Sequence, residues 1–343
     1  MKTKVAINGF GRIGRAFLNA AIDDESIEIV AINDLAPVES LAYLLKYDSA
    51  YGVSPLQIEH DEDILVVDGM SIPILHEKDP AALPWGEMEV AVVVESTGVF
   101  ASYKQSRAHL AAGAKRVVIS APVKDDPKAS GVSGATVLMG VNEEKLAVCE
   151  ITSNASCTTN AGSPLVAILD GALGIEKAVL NTVHGYTTSQ SLVDGPHKKD
   201  PRRGRAAAVN IVPSSTGAAV ATTQAYEPLA GKFDGIAMRV PVIVGSIVDI
   251  TFIAKRKTTV EEVTNILRSA ATDQRWAGIF TVTEDPLVST DIIGNPHAAI
   301  ADISMTRVVD GDLVKVLAWY DNESGYAHML LRHVREMGRT IQS

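Results

Sequence analysis

Over roughly the first 150 residues, short β-branched runs alternate with segments whose apolar positions fall at helical spacing. Residues 5–7, 27–32, 90–95 and 117–120 read as strands, and 13–22, 38–46 and 104–112 as helices. Strand–helix–strand repetition with apolar strands predicts a parallel sheet covered on both faces. Beyond Cys157 the pattern changes: a helix over 161–173 is followed by long strand-like runs at 178–183, 236–242 and 246–253, with few helices between them. A helix at 260–271 precedes two further runs, 300–309 and 313–319, joined by Asp310-Gly311-Asp312, a strong hairpin signal. This half predicts an α+β layer, helices on one face of a mostly antiparallel sheet. The tail, 324–341, sets Leu330, Leu331, Val334 and Met337 at helical spacing. Residues 187–207 form a polar loop bearing Gly and Pro, of a length that in compact domains usually serves function.

The chain has 343 residues, enough for two ordinary domains or one large α/β barrel. Its 46% hydrophobic and 21% charged residues match a soluble globular protein. A net charge of −10, from 31 basic and 41 acidic side chains, argues against nucleic-acid or anionic-membrane partners, although the basic stretch 198–205 could hold a small anion. The start of the chain enters a strand-like run without the apolar segment of a signal peptide, and the densest apolar run, 90–94, falls far short of the roughly 20 residues that span a bilayer. A cytoplasmic protein is expected. Cys149 and Cys157 make no disulfide framework and suit no common zinc site, so no metal is expected, and Cys149 is most simply structural.

Candidate chemistry sharpens both halves. Gly9-Phe10-Gly11-Arg12-Ile13-Gly14 fits G-x-G-x-x-G, follows the first strand directly and opens the first helix, which is the context a dinucleotide turn requires. Gly9 permits the tight turn, Gly11 lets the backbone approach a pyrophosphate, and Gly14 lets helix pack on strand. The phosphates then meet a helix N-terminus. Asp34, at the end of the second strand beside Asn33, is placed to bond the adenosine ribose hydroxyls and to repel a 2′-phosphate, favouring NAD over NADP; its alternative is to cap the helix beginning near Pro37.

In Ser153-Asn154-Ala155-Ser156-Cys157-Thr158-Thr159-Asn160 a cysteine stands between a short β-prone run and a long apolar-periodic helix, hence in that helix's first turn. Unpaired N–H groups and the helix dipole there lower a thiol's pKa. Beside a dinucleotide site, such a thiolate suggests covalent aldehyde chemistry, whereas a cysteine taken alone is more often a small buried apolar residue. The chemistry needs a base, and His184, closing a strand at the start of the polar loop, is the best of eight histidines. His197 and His328 fit solvated roles. Ser156, Thr158, the Ser214-Ser215-Thr216-Gly217 turn and the Arg202-Arg203 pair offer donors to a phosphorylated substrate. Arg239, inside an apolar strand, needs either an anion or a buried carboxylate.

Together, residues 6–15, Lys46-Tyr47-Asp48-Ser49, Glu95-Ser96-Thr97-Gly98, 153–160, 213–218 and Trp319-Tyr320-Asp321-Asn322-Glu323 resemble the phosphorylating glyceraldehyde-3-phosphate dehydrogenase family, in order along essentially the whole chain. The resemblance implies an N-terminal Rossmann NAD-binding domain completed by the C-terminal helix (1–156 with 323–343), an α+β catalytic domain (157–322) and a homotetramer. It implies Cys157 as nucleophile and His184 as base. Thr187 and Arg239 are expected to hold the substrate's C3 phosphate, with Ser156, Thr158, Thr216 and Gly217 holding inorganic phosphate and Arg203 near both. Asn322 is expected to fix the nicotinamide carboxamide and Tyr326 to pack behind the ring. Ser96, Thr97 and Ser120 are expected to line the cofactor cleft, and Lys78 to lie near the adenine. The chain departs from the common family pattern at Ser324, Pro201 and Val242–Gly245, and in a longer segment over 124–134 that reads as a surface elaboration. The implied reaction is NAD-dependent oxidation and phosphorylation of glyceraldehyde 3-phosphate to 1,3-bisphosphoglycerate. Its rivals are an erythrose-4-phosphate dehydrogenase and a non-catalytic NAD-binding scaffold.

Overall fold

The computed structural model describes residues 2–342, which fall into two compact units. The first comprises residues 2–137, 143–155 and 330–342, and the second 138–142 and 156–329.

The first unit is built on a nine-stranded sheet in the order Gly134–Thr136, Ile151–Ser153, Arg116–Ile119, Val92–Glu95, Thr3–Asn8, Ile27–Asn33, Met70–Leu75, Ile64–Val67, Ile58–Asp61. From Gly134–Thr136 to Met70–Leu75 every neighbouring pair is parallel. Val5, Val92, Val93, Val94, Val117 and Val118 are fully buried, as strands covered on both faces must be. The strand order turns back at Thr3–Asn8, first entered and central, and ligands in such sheets bind beyond the carboxyl ends of strands at this reversal. The last three strands form an antiparallel meander whose second turn is Asp68-Gly69, with φ of 47° and 79°. These strands were not read from the sequence, although Asp68-Gly69 is the same turn signal as Asp310-Gly311.

The second unit carries a seven-stranded sheet in the order Val212–Ser215, Phe233–Val240, Ile175–Gly185, Ser246–Ala254, Leu313–Tyr320, Ala299–Val309, Phe280–Thr283. Four of its six pairings are antiparallel. Helices Cys157–Leu173, Ala218–Ala225 and Val260–Ala271 accompany it. Val248, Ile250 and Phe252 alternate inward along Ser246–Ala254, all at most 1% exposed. The predicted hairpin forms at Asp310 (φ 48°) and Gly311 (φ 76°).

The segment after Lys124 is fastened by Asp125, whose carboxylate accepts from Tyr103 N (3.1 Å), Lys104 N (3.0 Å) and Ser130 Oγ (3.0 Å), so it covers the start of helix Tyr103–Ala111. Among the described residues, no helix is long and apolar enough to cross a membrane.

Candidate active site and cofactor site

The glycine turn does what its spacing predicts. Gly9 has φ +94°, and a Cβ there meets Thr97 N at 2.6 Å; a Cβ on Gly14 meets Gly9 O at 2.2 Å. A Cβ on Gly11 meets nothing within 4 Å, so open space lies over the middle glycine, where a pyrophosphate would be received. Gly11 starts helix Arg12–Ala21, and among the described residues no side chain caps that end. A dinucleotide's phosphates fit this arrangement. Asp34 closes the turn from the neighbouring strand: Phe10 N donates to its Oδ2 (2.7 Å) and Ala36 N to its Oδ1 (2.9 Å). It does not cap the helix Val38–Lys46, whose first residue follows Pro37. Phe10 is buried, Ile13 half-buried, and the Arg12 guanidinium is held in a two-pronged ion pair by Asp48 (3.0 and 3.2 Å). Ser96 Oγ donates to Gly9 O (2.7 Å), while Thr97 N donates to Glu95 Oε1 (2.8 Å). Ser120 N donates to Glu95 O (2.9 Å), and Lys78 is exposed.

In the second unit Cys157 is the first residue of helix Cys157–Leu173. Ser156 caps the helix, its Oγ accepting from Thr159 N (3.1 Å). Cys157 Sγ lies 3.3 Å from His184 Nε2. His184 and Arg239 occupy paired positions on adjacent parallel strands, which places both side chains on one face. Arg239 Nη1 lies 2.7 Å from His184 Nδ1 and donates to Gly185 O (3.1 Å); Gly185 O is 2.6 Å from the same Nδ1. Three groups far apart in sequence thus meet in one place.

Burial is the largest influence on this group. It pushes the Cys157 thiol up, against the pull of the Arg239 guanidinium and the Thr158 amide, so the depression expected of a helix-start thiol is outweighed. Burial and then the Arg239 charge push His184 down to about 3. Both shifts favour the uncharged forms of a thiol and an imidazole that face each other across a hydrogen-bonding distance.

Of the anion donors, Thr216 Oγ1 accepts from Ala218 N (3.1 Å) and Gly217 starts the helix Ala218–Ala225. Arg203 Nη2 donates to Ser215 O (3.3 Å), which puts it beside the same turn, and Thr187 Oγ1 lies 2.9 Å from Ser189 Oγ. The Thr158 hydroxyl lies 2.8 Å from the Tyr320 hydroxyl, and both the Thr158 backbone N–H and its side chain interact with the Cys157 sulfur. Asn322 Oδ1 accepts from Gly245 N (3.1 Å) and Ser246 Oγ (3.0 Å), so Nδ2 is its remaining donor. Tyr326 is buried in helix Ser324–Gln342.

Sequence reasoning gave no role to Tyr320. Its hydroxyl lies 2.8 Å from both Thr158 Oγ1 and Thr182 Oγ1, and its ring meets His184 edge-on with centroids 6.0 Å apart. It ties helix Cys157–Leu173 to strand Ile175–Gly185. A tyrosine closing an alternating strand was the available signal, but its partners lie 162 and 138 residues away.

A Rossmann-type sheet with an open glycine turn, together with a unit that sets a thiol against an imidazole, marks an NAD-dependent oxidoreductase. Residues 3–103 match the family description "Glyceraldehyde 3-phosphate dehydrogenase, NAD binding domain", and residues 156–322 match "Glyceraldehyde 3-phosphate dehydrogenase, C-terminal domain". The chain is 47% identical over 334 residues to a glyceraldehyde-3-phosphate dehydrogenase of Streptomyces coelicolor, covering 96% of this chain and 97% of that one. It is 48% identical over 332 residues to one of Kitasatospora aureofaciens, covering 96% and 97%. With one of Mycobacterium avium it shares 45% over 349 aligned positions, 99% and 100% of the two chains. The chain belongs to the glyceraldehyde-3-phosphate dehydrogenase family.

Proposed function

We propose that the protein converts D-glyceraldehyde 3-phosphate, NAD and inorganic phosphate to 1,3-bisphosphoglycerate and NADH. The observation that carries this reading is the 3.3 Å approach of Cys157 Sγ to His184 Nε2 with Arg239 on the far side of the imidazole. Nδ1 of His184 cannot donate to Gly185 O and accept from Arg239 at once, because a guanidinium only donates. In the working tautomer Nδ1–H is given to Gly185 O, Nε2 offers its lone pair to the thiol, and Arg239 turns to the C3 phosphate with Thr187.

The thiol proton passes to Nε2 and from there to the carbonyl oxygen as sulfur adds to the aldehyde carbon, forming a thiohemiacetal and leaving Nε2 free again. Bound NAD supplies the hydride acceptor. His184 removes the hydroxyl proton as hydride leaves, which yields a thioester on Cys157. Inorganic phosphate, held by Ser156, Thr158, Thr216 and Gly217 with Arg203 nearby, attacks the thioester carbonyl and releases the thiol. Asn322 offers Nδ2 to the nicotinamide carboxamide and Tyr326 backs the ring. Gly9, Phe10, Gly11, Arg12, Ile13, Gly14, Asp34, Lys78, Ser96, Thr97 and Ser120 serve the rest of the cofactor. In domain terms, 1–156 with 323–343 holds NAD and 157–322 does the chemistry.

The chain is read as a cytoplasmic homotetramer. Support for assembly comes from apolar side chains left in water on the second unit: Val179 and Ile236 on its sheet are 59% and 50% exposed, and Leu192 and Val193 in the long loop 81% and 73%. Sedimentation should return the mass of four chains.

The deciding assay is NAD reduction with glyceraldehyde 3-phosphate or erythrose 4-phosphate, with and without phosphate. Turnover that ignores phosphate sinks the phosphorylating mechanism, and preference for the four-carbon aldehyde reassigns the substrate.

A further inference from the structure

Under the glycine turn lies a buried polar row that the reaction as described leaves unused. Glu95, Asn8 and Asn33 stand in register at the carboxyl ends of three adjacent parallel strands and are 2%, 1% and 5% exposed. Glu95 Oε2 accepts from Asn8 Nδ2 (2.6 Å), and Asn33 Nδ2 donates to Asn8 Oδ1 (2.7 Å). Asn33 Oδ1 in turn accepts from Glu77 N (2.9 Å), next to Lys78. From the other side, His109 Nε2 lies 3.1 Å from Glu95 Oε2, and Trp85 Nε1 donates to His109 Nδ1 (3.0 Å). His109 and Trp85 are both fully buried.

An indole N–H can only donate. His109 Nδ1 must therefore hold the lone pair, which puts the proton on Nε2, aimed at Glu95. Trp85 thereby selects one tautomer, because a proton on Nδ1 would set two N–H groups against each other. The other carboxylate oxygen, Oε1, receives both the backbone N–H (2.8 Å) and the hydroxyl of Thr97. Thr97 is the residue whose backbone N lies 2.6 Å from the place a Cβ on Gly9 would take, so the position of Thr97 sets how closely the glycine turn can sit. A carboxylate is costly to bury and an apolar group could fill its space. Here it holds a loop by two donors, which an apolar group cannot do.

We propose that Trp85, His109 and Glu95 form a positioning relay for the cofactor, with His109 the positioning residue that aims Glu95 at Thr97 and so fixes the Ser96-Thr97 loop against the glycine turn. The relay rests on the reading of this turn as the NAD site.

The test is NAD binding by the full-length protein, followed by calorimetric titration, with KM for NAD, kcat, and the rate of Cys157 alkylation by iodoacetate without NAD as companions. His109→Leu removes both hydrogen bonds and should weaken NAD roughly tenfold or more, leaving kcat at saturating NAD and the alkylation rate within about twofold of the parent. His109→Gln presents an N–H to Glu95 and a carbonyl to Trp85, and should keep NAD affinity within about threefold of the parent. Equal NAD affinity in folded His109→Leu and the parent overturns the relay, and so does a His109→Gln protein as weak as His109→Leu. Should His109→Leu fail to fold, Trp85→Phe carries the question: loss of the tautomer lock should weaken NAD several-fold, and unchanged affinity overturns the proposal. A parent protein that binds no NAD instead defeats the cofactor reading itself.

Discussion

Two strand-to-helix junctions organise this protein, and they use the same local geometry for opposite ends. At residues 8–14 a strand runs into helix Arg12–Ala21; at 153–159 another runs into helix Cys157–Leu173. Each passes through the left-handed region, at Gly9 with φ 94° and at Ala155 with φ 53°. The first leaves its helix start without a side-chain cap and keeps open space over Gly11. The second closes its helix start with the Ser156 hydroxyl and puts a thiol in the first turn. A helix N-terminus left open receives an anion from outside. One filled by its own cap is a rigid mount for a side chain. What distinguishes the junctions is the occupant of the helix end, and the glycines of one and the serine of the other choose it.

The comparison breaks most sharply at the thiol. Cys157→Ala should abolish NADH formation and leave NAD affinity unchanged, because the two junctions serve separate steps; residual turnover at the parent rate refutes the covalent route. The reciprocal change is Gly11→Val, which fills the open space over the turn. It should weaken NAD by about tenfold or more while Cys157 keeps its rate of alkylation, and a titration showing normal NAD affinity would mean the phosphates lie elsewhere.

The second junction is also tied from beneath. His333 Nε2 lies 2.7 Å from Thr152 Oγ1 and its Nδ1 3.2 Å from Asn154 Oδ1, and burial holds the imidazole near 3, well below the ordinary 6.5. The unfolded chain therefore takes up a proton that the folded chain refuses. His333's contribution to stability is complete above about pH 6.5 and is lost as the pH falls toward 3, at up to ~1.4 kcal/mol per pH unit. His333→Gln can donate to Asn154 and accept from Thr152 without titrating. Urea unfolding at a series of pH values should show the acid slope lowered by about one proton, and an identical slope in the two proteins would remove His333 from the account. The smallest effect is expected at the cap itself: Ser156→Ala should lower stability by about 1 kcal/mol, read as a fall in the unfolding midpoint, whereas no change would show that the cap contributes nothing.

Both junctions were legible in the sequence to different depths. Gly9, Gly11 and Gly14 declare their roles because a tight turn, an open approach and a close packing are local demands that only glycine meets. The place of Cys157 was legible for the same reason, a strand-like run followed at once by helical spacing. Its proton affinity was not, since burial comes from the whole unit and outweighs the helix end. Asp34 was placed correctly at its strand end, but only the fold shows that its carboxylate braces the turn through Phe10 and Ala36. The meander over 58–75 is hard to read from sequence because its strands are short and the outermost, Ile58–Asp61, is a sheet edge where the alternation of apolar and polar residues is weak.

By itself the sequence determined the strand–helix alternation of the first half apart from its meander, the long strands and main helices of the second, the glycine turn, and a cysteine at a helix start. These follow from periodicity and backbone sterics acting over a few residues. Only tertiary structure decided that His184 and Arg239 would share a register on adjacent strands, that Tyr320 would join Thr158 to Thr182, and that Trp85 would set the tautomer of a histidine beneath the cofactor turn. Strand pairing and burial bring together groups that chain order keeps apart, and the charge and proton positions on which the chemistry depends are properties of those meetings.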